Sequence, residues 1–108
     1  MERVSMPHPI AKRELMFSIR GTEKRTGITI HISAPFILQP GSVNFEFSGG
    51  TAGCTLQIDG LPEEFSHTAY GADSLQALQL ASNPDRHLRY LRRKYDFYFP
   101  DGEPYFED

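Results

Sequence analysis

Tryptophan is absent from the 108 residues, cysteine occurs once, and no apolar run approaches the length of a membrane helix. Each shortage removes a class of protein. A lone Cys54 forms no intrachain disulfide, which excludes a disulfide-stapled secreted scaffold and points to a reducing compartment, the cytoplasm. A spanning helix needs about eighteen apolar residues in succession, so no membrane segment is expected. The opening "MERVSMPHPIAKREL" carries charges and two prolines where a secretory leader has an apolar stretch, and no targeting segment is read there. Charge of one sign is scarce as well. A net charge of −3 leaves no general electrostatic footprint for nucleic acid or anionic lipid. Internal repeats and low-complexity tracts are also missing.

What is present is apolar material enough for a core. Eight Phe and five Tyr in a chain of domain size predict one globular domain that needs no staple. Residues 1–9, with Pro7 and Pro9, read as a flexible arm, and the domain as 10–108. Leu15, Phe17 and Ile19 alternate with Glu14, Met16 and Ser18, the period of a strand with one buried face. After the turn "GTEKRTG", Ile28, Ile30 and Ile32 alternate in the same way and predict a hairpin. Pro35, Pro40 and Gly41 then break the pattern, and Val43, Phe45 and Phe47 predict a third strand. Leu56 and Ile58 predict a fourth, and residues 61–72 read as a loop or short strand.

At Asp73 the period changes to that of a helix. Asp73 is a good N-cap with Gln76 three residues on, and Leu75, Ala77, Leu78, Leu80 and Ala81 form a broad apolar stripe. Pro84 kinks this helix or splits it, with Asn83 capping the second part and Leu88, Leu91 and Tyr95 continuing the inner stripe. The tail "DFYFPDGEPYFED" alternates around a turn and reads as a short hairpin or edge strand with a solvated acidic end. Strands followed by helix predict an α+β fold: an antiparallel β-meander of four or more strands packed against one kinked or two short C-terminal helices.

Two stretches resemble known proteins. "YGADSLQALQL" resembles locally the Gly-x-Asp-Ser-Leu signature of acyl and peptidyl carrier proteins, which implies a phosphopantetheine arm on Ser74. "QIDGLP" at 57–62 with "GADSLQALQLA" at 71–81 is similar, over residues 9–82, to a family of small bacterial α+β proteins without an assigned function. The agreeing positions are Gly71, Asp73, Gln76, Ala77, Leu78 and Leu80; Pro84 interrupts a helix that is continuous in that family. The resemblance implies a fold and no catalytic residue.

Chemistry has few carriers elsewhere. His8, His31, His67 and His87 show no ligand pair at helix or hairpin spacing, and Cys54 has no second thiol, so no metal site and no cofactor is expected. Glu63 and Glu64 read as surface carboxylates rather than an acid and base pair. "RHLRYLRRK" places Arg86, Arg89 and Arg93 along one helical face. The expectation is therefore a non-enzymatic bacterial domain that binds another protein, an immunity protein against a toxin being one version. Arg86, Arg89, Tyr90, Arg93 and Tyr98 are its candidate contacts, since Tyr and Arg dominate interface energetics. The alternatives are a carrier modified at Ser74 and nucleic-acid binding through 86–94, the latter disfavoured by the overall negative charge.

Overall fold

A computed structural model describes residues 9–107. The arm expected at 1–9 lies outside the described residues but for Pro9, which opens the first strand.

The architecture is the α+β meander that the alternation predicts. Strands β1 (Pro9–Ile19), β2 (Thr26–Ser33), β4 (Ala52–Asp59) and β5 (Phe65–Gly71) follow one another antiparallel across the sheet. Between β2 and β4 stands a two-residue strand, β3 (Phe36–Ile37). Helices α1 (Ser74–Ala81) and α2 (Asp85–Leu91) come next, and β6 (Tyr95–Tyr98) closes the sheet by pairing with β1. The spatial order is thus β5, β4, β2, β1, β6. Because β5 and β6 are opposite edges, the helical segment crosses one face of the sheet, and that inner face is the core. Leu15, Phe17, Ile28, Ile30, Ile32, Leu56 and Ile58 point into it, against Ala77, Ala81, Leu88 and Leu91 from the helices.

The expected third strand at Val43–Phe47 is corrected. Residues 38–51 are irregular, and the strand lies earlier, at Phe36–Ile37, beside the Pro35 that reads as a breaker. The register explains this. Ile32 faces Leu56 and Phe36 faces Gly53, so four steps on one strand meet three on the other. Since β5 occupies the other edge of β4, β3 is the continuation of β2 past a one-residue bulge. Ser33 repairs the ladder there, its hydroxyl accepting from the Thr55 amide at 2.9 Å and donating to the Ala34 carbonyl at 3.0 Å. Proline is tolerated at such a bulge because no ladder donor is required of it.

Two further inner-face assignments change. Ile19, expected inside, is exposed at the end of β1, whereas Ser18 is buried on the outer face. The Tyr98 ring covers Ser18, with the two hydroxyls 3.3 Å apart, and the Arg25 guanidinium lies 3.7 Å above that ring. In α1 the stripe is narrower than expected: Ala77 and Ala81 are buried and Leu78 partly so, while Leu75 and Leu80 face solvent. Gly71 is the reason alanines suffice. A Cβ there would lie 2.5 Å from the Ala77 amide nitrogen, so the α1 backbone rests almost directly on β5.

The predicted helix start is present in detail. The Asp73 carboxylate accepts from the Gln76 amide at 2.8 Å, and the Gln76 side chain accepts in return from the Ala72 amide at 2.6 Å. The helix does split at Pro84, but the expected cap is corrected: Pro84 itself is the N-cap of α2 and supplies no side-chain acceptor, while Asn83, one residue earlier, accepts from the Asp85 amide at 3.3 Å. The tail forms the expected turn, with Gly102 donating to Phe99 and Tyr105 donating back to Phe97. Among the described residues, no helix is long and apolar enough to cross a membrane.

Candidate interaction surfaces

Burial of Leu88 and Leu91 fixes the rotation of α2 and turns Arg86, Arg89 and Tyr90 outward. The tail then returns over this helix. Phe106 lies beneath the guanidinium groups of Arg89 and Arg92, at 4.6 and 4.8 Å. Tyr105 is fixed beside it: its hydroxyl donates to Asp85 at 2.5 Å and accepts from Arg13 of β1 at 2.8 Å. Burial, then the Asp85 contact, hold its phenol above the ordinary tyrosine range. Arg93 lies past the end of α2, stacks on Tyr90 at 4.3 Å and donates to its hydroxyl at 2.7 Å. Of the five candidate contacts, Arg86, Arg89, Tyr90 and Arg93 therefore share the helical side of the molecule, with Arg89 engaged by the chain's own tail. Tyr98 stands apart on the outer face of the sheet.

Of the carboxylates after Leu61, Glu63 is not set up as a general acid. Lys94 donates to Glu63 at 2.6 Å, and this hydrogen bond with the charge behind it draws the Glu63 carboxyl below the ordinary range. A general acid needs the opposite shift. Cys54 is fully buried, and burial pushes its thiol up, away from the thiolate a nucleophile requires. Ser74 is exposed as the first residue of α1, but the element before it is an edge strand of the sheet.

Three groupings join residues that sequence spacing keeps apart. On the outer face, Gly53 of β4 lies between Phe36 of β3 and Tyr70 of β5. A Cβ on Gly53 would stand 2.6 Å from the Phe36 ring, which occupies the place of the missing side chain. Phe45, from the irregular segment, meets Tyr70 edge to face at 5.2 Å and Phe47 at 6.3 Å. Phe36, Phe45 and Tyr70 are nonetheless 43%, 44% and 41% exposed. From the sequence Gly53 reads as part of the flexible turn "SGGTAG"; only its place inside β4 marks it as a point of close approach.

The second grouping, on the same face, links His31 to Asp59 at 3.0 Å, with Gln57 donating to the other carboxylate oxygen at 2.8 Å. The remaining imidazole nitrogen, Nδ1, is shut off from solvent and has no hydrogen-bond partner among the described residues, and the His31–Asp59 contact braces β2 against β4. The third is His67 of β5 with His87 of α2, whose ring centroids are 4.6 Å apart. Phe65 backs His87 at 5.3 Å. Burial first, then His67 and Arg86, lower the His87 pKa.

The segment from Ala11 to Pro84, which carries the meander, the aromatic cluster and the α1 cap, matches a family described as a domain of unknown function (DUF6968). The chain belongs to this family. No curated protein and no solved structure matches it. The DUF6968 match ends just before α2, so Phe36, Phe45, Gly53 and Tyr70 lie within it, whereas the arginine face and β6 lie beyond.

Proposed function

We propose that the chain is a non-enzymatic domain that binds another protein, and that Phe36, Phe45 and Tyr70 form the centre of the contact. The carrying observation is that Phe45 meets Tyr70 edge to face, that Phe36 lies over Gly53, the residue paired with Tyr70, and that each of the three rings is two-fifths or more exposed. Soluble domains rarely leave grouped aromatics in water, and contiguous patches of this kind mark interaction sites. Large rings held in place contribute most of the energy of a protein interface. No arginine or lysine stacks on these three rings among the described residues, which favours an apolar protein segment over a polyanion. Arg86, Tyr90 and Arg93 are a second contact, suited to an acidic partner. Immunity against a toxin is the version in which the partner is an enzyme silenced by this contact.

The test replaces Tyr70 in the native host with a photo-crosslinking residue and identifies the captured protein. Phe45→Ser with Tyr70→Ser is expected to weaken the recovered complex by roughly 2 kcal/mol or more with the fold intact. Binding that ignores these changes but is lost in Arg86→Glu with Arg93→Glu moves the contact to α2. Binding indifferent to both pairs refutes the reading.

A further inference from the structure

We propose that His67 and His87 form a two-imidazole chelate for a divalent metal of the zinc, copper or nickel type, which fastens α2 to the edge strand β5. The two rings come from different elements and lie 4.6 Å apart at 49°, close enough that small side-chain rotations aim one nitrogen of each at a common ion. Neither ring makes a hydrogen bond or ion pair among the described residues, whereas His31, the other histidine of the sheet, is committed to Asp59.

A metal binds neutral imidazole, and the positive charge of the neighbouring Arg86 opposes a cation, so affinity is modest. Among the described residues no third histidine, cysteine or carboxylate completes a cluster of three. Water fills the remaining positions, which makes the site labile and confines it to metals that favour imidazole, with magnesium and calcium excluded by their preference for oxygen.

The probe is zinc chloride added to the full chain at pH 7.5, followed through the histidine ring resonances and the melting temperature. The ring signals of His67 and His87 are expected to move together along one isotherm that saturates at one zinc per chain, with those of His31 unmoved. At a hundredfold excess over Kd the melting temperature rises by roughly 10 °C, and magnesium produces no rise. His67→Gln changes an exposed ring, leaves the fold standing and abolishes both responses; His87→Gln does the same where it folds. A rise that survives in His67→Gln, signals that move independently, or no response at millimolar zinc overturns the proposal.

Discussion

Gly71→Ala tests the packing on which the fold turns. Gly71 faces inward from β5 and its φ is not in the left-handed region, so the cost of a side chain there is one of space. The added methyl carbon would lie 2.5 Å from the Ala77 nitrogen and 2.9 Å from both the carbonyl carbon and the Cβ of Gln76. Ordinary contact begins near 3.4 Å, so the first turn of α1 must retreat by about 0.9 Å, the difference between 3.4 and 2.5. No rotamer relieves it, because two of the three blocking atoms are backbone. Ala77 and Ala81 would lose their seat on the sheet, and the Asp73 cap would shift with the turn that it closes. Overpacking costs typically 1–3 kcal/mol, and a backbone obstacle places this change near the top of that range. For a domain of this size the melting temperature should fall by roughly 10–20 °C. Gly27→Ala is the control, since its Cβ would meet nothing within 4 Å. Thermal and urea unfolding followed by circular dichroism read both variants. If Gly71→Ala melts within a degree or two of the wild type with the α1 amides still protected, α1 does not rest on β5 as described.

Asp73→Ala removes the acceptor of the Gln76 amide and should cost about 1 kcal/mol in urea unfolding, while Asp73→Asn keeps most of it; equal losses would show that charge rather than capping matters. His87 has a lowered pKa, so between the ordinary histidine value and its folded value the unfolded chain binds the extra proton and the folded chain does not. Stability should therefore decline as the pH falls from about 6.5 toward the folded pKa, and His87→Gln should flatten that part of the profile, as read by unfolding at a series of pH values. Cys54, buried with its thiol pushed up, should resist a thiol reagent at pH 8 in the native state and react fully in urea; rapid native labelling would contradict its place under the helices.

What the sequence made legible was local. Asp73 accepts from the Gln76 amide and the Gln76 side chain reaches back to the Ala72 amide, all within one turn, so the helix start could be read to the residue. The hairpin of β1 and β2 was equally plain, because one face of each strand is buried and the other is not. Alternation, however, reports which side a residue faces and says nothing of a partner strand. That is why Val43, Phe45 and Phe47 read as a strand while the pairing fell to Phe36 and Ile37, and why Tyr105 gave no hint of Arg13, ninety-two positions earlier. The candidate sites share this blindness: Phe45 with Tyr70, and His67 with His87, meet only after the register of β4 and β5 is fixed.

Gly53 and Gly71 narrow the gap between the two kinds of information. They stand one strand apart on opposite faces, and each leaves out a side chain so that something else fills the place: the Phe36 ring outside, the α1 backbone inside. A glycine within a strand marks that another group arrives, but from the sequence Gly53 reads as part of a turn and Gly71 as part of a loop or short strand, so the mark becomes legible only once β4 and β5 are placed. For Gly71 the neighbouring cap at Asp73 supplies the answer, since a helix beginning two residues later must fold back over it. For Gly53 no local rule supplies it, and the aromatic cluster that the proposed function rests on became visible only when the bulge at Ala34–Pro35 had set Phe36 opposite.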